Sequence, residues 1–373
     1  MTDIEEDMLD IDSDDSSYIS HPFDPSKINV KSSVQSIYTL LQRMKHGEIT
    51  SPTYQRQNNI WTLVTKSRLI ESLLVRIPLP LFYLDATNED EWKIVDGLQR
   101  LTALKEFCVD KSYKLSGLEY LKDSLEDKGF DDLHRSFQRR IEETDVTVIL
   151  INSGTPENVK FNIFKRINTG GEPLSEQEIR HALYQGFSTK ALSQVVNSKC
   201  FQIVFNPNNK DNANDRMELN EIALRGLAYL FIPEERIYSS NIDDLLSLDD
   251  FLSLAMQAIN SEAKVSVDLV NKKIEKFINY IAFVQSITQK HTFRKINLET
   301  DKRNPLNINV YEAWMSIINY INPEKYQDNE KKEKLYNQYK NLYLDANFRY
   351  ALSSRKTETL NYRFKKMLQI INE

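Results

Sequence analysis

Asp96, Gln99 and Arg100 stand close together, with Gly97 after the first and Thr102 just beyond the last. A carboxylate can hold a cation or orient an arginine, and a glutamine can orient water. A guanidinium grips phosphate through two parallel bonds, a geometry that lysine cannot copy. That set fits phosphoryl chemistry. Its flanks fit too. Trp92–Val95 is a short apolar run of buried-strand type, and 98–109 has helical spacing, so the junction reads as strand, Asp-Gly turn, helix. First-turn amides of a helix lack internal partners, and the helix dipole adds positive charge there. An anion seated there gains charge-assisted bonds of roughly 1.5–3 kcal/mol each. The competing reading is structural: Arg100 pairs with a carboxylate inside the domain and only holds the turn.

The elements that would carry this junction are mixed. Val34, Ile37, Leu40, Leu41 and Met44 recur at helical spacing and predict a helix over 33–46. A second helix is expected over 62–75, with strands at Leu79–Leu84, Trp92–Val95 and Asp145–Ile151. Pro156 opens a helix to Ile167, and Ser175-Glu176-Gln177-Glu178 reads as a capping box for the next one. Beyond about 186 the pattern is helical, over 216–231, 243–260, 265–289, 307–321, 329–344 and 356–371. The polar stretch Asn206–Asp215 is the candidate boundary loop. The expectation is an α+β chain with an acidic disordered tail at 1–26, an α/β head at 27–185 and an all-helical domain at 186–373.

Charge is uneven along the chain. Residues 1–26 hold nine acids and no lysine or arginine, so the rest carries 48 basic against 45 acidic side chains. Bulk charge therefore does not mark the folded part as a nucleic-acid binder, although a local basic cleft stays open. The tail is either a solvating segment or a DNA mimic seated in such a cleft. No long apolar run or basic leader stands out, and Cys108 and Cys200 have neither framework nor metal spacing. A cytoplasmic protein without a membrane span is expected.

Four pieces, in order, carry a family resemblance. Asp96-Gly97-Leu98-Gln99-Arg100 resembles the Asp-Gly-Gln-Gln-Arg motif of the GmrSD-type N-terminal domain family, whose fold is related to ParB and sulfiredoxin. Pro52-Thr53-Tyr54-Gln55-Arg56 with Trp61 resembles its upstream Tyr-Gln-Arg. Ile77-Pro78-Leu79-Pro80 resembles its proline-bearing approach to a strand, and Phe164–Leu174 its Arg-Ile-Asn loop. These pieces cover about residues 30–185. Gly97-x-x-Arg100-x-x-Ala103 is also similar to the phosphate signature of ParB-type nucleotide-dependent clamps. The resemblance implies a ParB/sulfiredoxin-like head that binds and hydrolyses a nucleoside triphosphate in a prokaryotic restriction or phage-defence system. Arg100 and Arg56 would neutralise the triphosphate, Asp96 would hold Mg²⁺ or orient Arg100, and Gln99 would orient water. Tyr54, Gln55, Gly97, Thr102, Arg166 and Asn168 complete the expected phosphate and nucleotide contacts. DNA and a separately encoded nuclease are the implied partners, and a homo-oligomer is left open.

Leu98 departs from the motif, since it stands where the family has glutamine and cannot hydrogen-bond. It also removes the cysteine that sulfiredoxin-like chemistry needs. Two further readings stay beside the first. One is a non-catalytic switch that binds nucleotide or DNA and recruits a partner. The other is a Mg²⁺-dependent nuclease built on Asp85, Glu91 and Lys93. The five histidines have no metal-ligand spacing, so a histidine-metal nuclease is not expected. Arg355, Lys356, Arg363, Lys365 and Lys366 interleave with Tyr362 and Phe364, either as a solvated helix face or as a contact to DNA backbone.

Overall fold

The computed structural model describes residues 28–50, 61–167, 174–207, 216–238, 246–300, 302–354 and 356–372. Two compact units divide between Leu183 and Tyr184. The first is α+β and the second is helical apart from one isolated bridge, Arg294 to Leu306.

The first unit opens with β1 (Val30–Ser36), α1 (Ile37–Lys45), β2 (Ile49–Thr50) and α2 (Leu63–Leu74). Then come β3 (Phe82–Ala86), β4 (Trp92–Asp96), α3 (Leu98–Cys108), α4 (Lys122–Leu125) and α5 (Arg135–Glu142). It closes with β5 (Asp145–Asn152), α6 (Glu157–Ile167) and α7 (Glu176–Leu183). The sheet has five strands in the order β1-β5-β3-β4-β2. β3 lies parallel to β5 and antiparallel to β4, so the end of β4 and the start of β3 lie side by side within the sheet. Side chains alternate across each strand. Phe82, Leu84, Ala86 and Ile94 face a core with Leu69, Ile70, Leu73, Leu101 and Leu104 from α2 and α3. Full burial of such side chains stabilises by about 1.5–3 kcal/mol each. Ile151 on the other face joins Phe161, Phe164 and Ile179 from α6 and α7, with Val95 against them.

Two expectations are corrected here. The helix expected over 33–46 starts only at Ile37, because residues 30–36 pair with β5 along their whole length. Val34, counted on the helical stripe, is 65% exposed, and the Ser36 hydroxyl caps α1 by accepting from the Thr39 amide at 3.2 Å. The strand expected from Leu79 starts at Phe82. Pro80 has no amide to give a ladder, and the carbonyls of Pro80 and Leu81 are used elsewhere. The capping box is present: the Glu178 amide donates to the Ser175 hydroxyl at 3.1 Å, and the Ser175 amide donates to the Glu178 carboxylate at 2.6 Å.

The second unit contains α8 (Phe187–Val196), α9 (Lys199–Phe205), α10 (Glu218–Phe231), α11 (Glu234–Ile237) and α12 (Leu248–Val265). It continues with α13 (Val267–Thr288), α14 (Ile308–Ser316), α15 (Asn329–Leu342), α16 (Ala346–Ala351) and α17 (Thr357–Asn372). α10 is apolar nearly all round and buried to match. Arg225 on it is paired with Glu221 at 2.7 Å and Glu312 at 2.8 Å, and Arg363 of α17 reaches the same Glu312 at 3.5 Å. Arg363 is 2% exposed and donates to the carbonyls of Ala351 and Ser354. Phe364 is stacked on Tyr238, and Lys366 pairs with Asp345 at 2.8 Å. The DNA-contact reading of this basic stripe is thereby corrected at Arg363, which is a core residue. Arg355 lies outside the described residues.

Candidate functional site: the strand–turn–helix junction at Gly97

Asp96 ends β4, and the chain turns at Gly97 with φ of 97°. Only glycine takes that left-handed conformation without cost. Space adds a second reason, since a Cβ on Gly97 would lie 2.4 Å from Cδ1 of Phe82. α3 follows at once, and among the described residues no side chain caps its first-turn amides. The sequence reading of this junction as strand, turn and helix thus matches the backbone. Gln99 and Thr102 are both half-buried and lie three residues apart, on one side of the helix.

Arg100 lies inward. Its Nη2 donates to Asp96 Oδ2 at 2.8 Å and to the Leu81 carbonyl at 3.1 Å, and Nη1 donates to the Pro80 carbonyl at 2.5 Å. The guanidinium also covers the Phe82 ring at 4.5 Å from its centroid. Burial pulls the Arg100 pKa below its usual value, and Asp96 opposes that; an arginine so placed is still a cation. Of the two roles expected for Asp96, orienting Arg100 is the one this arrangement contains. Both terminal nitrogens of the fork are engaged by the protein itself, so a bidentate grip on phosphate requires Arg100 to change partners. Phe82 and the Pro80 and Leu81 carbonyls are members of the site that sequence reading missed. The prolines at 78 and 80 marked the place, but nothing in them named the arginine 20 residues on.

α6 runs over the other face of the sheet. Its Lys160 is 3% exposed, donates to the Thr87 hydroxyl at 2.7 Å and lies 3.8 Å from Asp85. Phe164, one turn on, shares a cluster with Val95, and Arg166 near the end of α6 is exposed. Lys165 pairs with Glu176 across to α7. Tyr54, Gln55, Arg56 and Asn168 lie outside the described residues.

Of the rival nuclease set, Asp85 and Lys93 are cross-strand partners on β3 and β4, with Glu91 two residues before Lys93. Glu91 accepts from the Thr50 hydroxyl at 2.9 Å, whereas Asp85 accepts from the Thr87 amide and hydroxyl and faces Lys160. No group of three His, Cys, Asp or Glu side chains able to hold a metal occurs among the described residues. What the junction offers is one carboxylate, which fits a Mg²⁺ carried by a triphosphate rather than a protein-held ion. Burial, with Glu142 nearby, pushes the Cys108 thiol up to about 12, which makes it a poor nucleophile. No helix among the described residues is long and apolar enough to cross a membrane.

Fold and site define an α+β domain centred on an Asp-Gly-x-Gln-Arg junction between strand and helix. Residues 37–185 match the family model described as GmrSD restriction endonuclease, N-terminal domain, and this segment is a domain of that family. No curated protein and no solved structure matches the chain.

Proposed function

We propose that residues 37–185 bind a nucleoside triphosphate at the Asp96–Arg100 junction and hydrolyse it, and that the chain serves a restriction-type system directed at foreign DNA. The observation that carries this is the left-handed Gly97 opening α3 with its first-turn amides uncapped, inside a domain of a restriction-endonuclease family. In this reading the head is ParB/sulfiredoxin-like. The α3 amides and Arg100 bind phosphate, Gln99 orients the attacking water, and Asp96 contacts a Mg²⁺ that arrives with the triphosphate. Thr102 adds a hydroxyl. Arg56 and Arg166 supply further positive charge, while Tyr54, Gln55 and Asn168 contact base or sugar. Charges fixed in advance suffice for phosphoryl transfer, where little covalent help is needed.

A second reading has its own support. Leu98 packs against the apolar core, where it makes no polar contact, and the Arg100 fork is satisfied internally. Both favour binding without turnover, in a switch that recruits a separately encoded nuclease. The test is a panel of nucleoside triphosphates with and without DNA, scored for binding and for released phosphate. Release that Arg100→Ala abolishes supports the hydrolase, and binding without release supports the switch. A panel in which nothing binds sinks both. Mg²⁺-dependent plasmid cutting that survives Arg100→Ala but not Lys93→Ala supports the nuclease.

A further inference from the structure

The guanidinium at the junction is held on two sides by different kinds of acceptor. The Pro80 and Leu81 carbonyls belong to backbone leading into β3, and the Phe82 ring beneath belongs to β3 itself. The ring cannot leave without unpicking the sheet, and the carbonyls belong to the backbone that leads directly into it. Asp96 can leave. Its side chain is 33% exposed against 12% for Arg100, so the carboxylate lies on the solvent side of the pair. A rotation of that side chain would withdraw it while the turn stays fixed, since Gly97 is wedged against Phe82.

We propose that Asp96 is an internal competitor for the ligand: it holds Arg100 in the ligand-free protein, and a triphosphate takes its place on the guanidinium. This rests on the nucleotide-binding reading above and describes how that site is regulated. Relative strengths favour the exchange. An ion pair to a partly exposed carboxylate is among the weaker kinds, whereas a triphosphate brings several negative charges to the same N–H and to the α3 amides beside it. The two carbonyls and the ring keep Arg100 in place during the swap, so no reordering of a long side chain opposes binding. Withdrawing Asp96 also removes a negative charge from beside the α3 amides, which strengthens their field toward an anion. The carboxylate thereby freed becomes available to the triphosphate's counter-ion, and the two expected roles of Asp96 become two states of one residue.

The experiment titrates full-length protein with nucleoside triphosphates in EDTA, so that charge competition alone is read. Asp96→Asn is expected to bind about tenfold more tightly than wild type. Equal or weaker binding by a variant whose melting curve and circular dichroism match wild type overturns the proposal. Wild type that binds no nucleotide at all sinks the parent reading instead. Should Asp96→Asn fail to fold, arginine side-chain NMR on wild type decides, with Arg100→Lys supplying the assignment. The Arg100 signal is expected to shift on saturation with triphosphate, and a signal that stays put during saturation overturns the exchange.

Discussion

The two units use their charged side chains with different emphasis. In the helical unit, Arg225 sits between the Glu221 and Glu312 carboxylates, and Arg363 shares Glu312, so helices are tied to helices through side chains. In the α+β unit several charges grip backbone instead. Arg100 serves two carbonyls, and Glu71 accepts from the amides of Glu119, Tyr120 and Leu121. Glu126 accepts from those of Gly117 and Leu118. Irregular chain carries amides and carbonyls that no helix or ladder satisfies, and charged side chains stand in for the missing partners. The difference bears on function. An arginine enclosed by two carboxylates has no reason to exchange them, whereas one held by neutral carbonyls and a half-exposed carboxylate can trade up for phosphate.

The contrast breaks most visibly at Glu312. Its removal leaves Arg225 and Arg363 buried with a deficit of negative charge, and breaking a buried pair costs about 3–5 kcal/mol. Glu312→Ala should therefore lower the stability of the helical unit by that amount in urea unfolding, while nucleotide binding by the folded fraction is unchanged. A loss below about 1 kcal/mol would mean that the pair is not scaffolding.

Gly97→Ala tests the other side. The left-handed backbone costs an alanine about 1–2 kcal/mol, and its Cβ would press on Phe82, adding about 1–3. A net loss of about 2–5 kcal/mol is expected, with a lower floor than at Glu312 yet accompanied by weakened triphosphate binding because the α3 amides are displaced. Loss of stability with binding intact would separate the turn from the ligand.

Why some of this was legible in sequence follows from the same distinction. The Asp96–Arg100 junction is local: an apolar run, Asp-Gly and a helical period lie within one stretch, so its backbone could be read directly. The Ser175–Glu178 box is equally local. β1 was misread because Val34 and Ile37 fit a helical period as well as they fit an edge strand, and only pairing with β5 decides between them. α5 passed unnoticed, since Arg135–Glu142 offers only Phe137 and Ile141 as apolar markers. The backbone-gripping charges were invisible for a different reason. Glu71 meets amides 48 to 50 residues away, and Arg100 meets carbonyls about 20 back, where a polar side chain carries no sign of its partner. Arg363 looked solvated for want of any signal pointing to Glu312.

Glu71 offers the finest test of the contrast, because its contribution can be switched by pH. It is 3% exposed, and burial alone would raise its pKa. The amides of Glu119, Leu121 and Tyr120, with Arg68 beyond, outweigh that and hold the carboxyl below its ordinary value of 4.5. A carboxyl with a depressed folded pKa stabilises fully above its unfolded value and loses that stabilisation as pH falls through the folded one. Glu71→Gln keeps the shape but turns an amide NH₂ toward donors, so a loss of about 1.5–2 kcal/mol is expected at pH 7. Below the folded pKa the wild-type carboxyl is protonated and carries the same handicap, so the gap should close as unfolding is repeated at falling pH. A gap of constant size from pH 7 to strongly acidic solution would show that the Glu119–Leu121 loop is held by packing, and the claim that charge grips backbone in this unit would rest on Arg100 and Glu126.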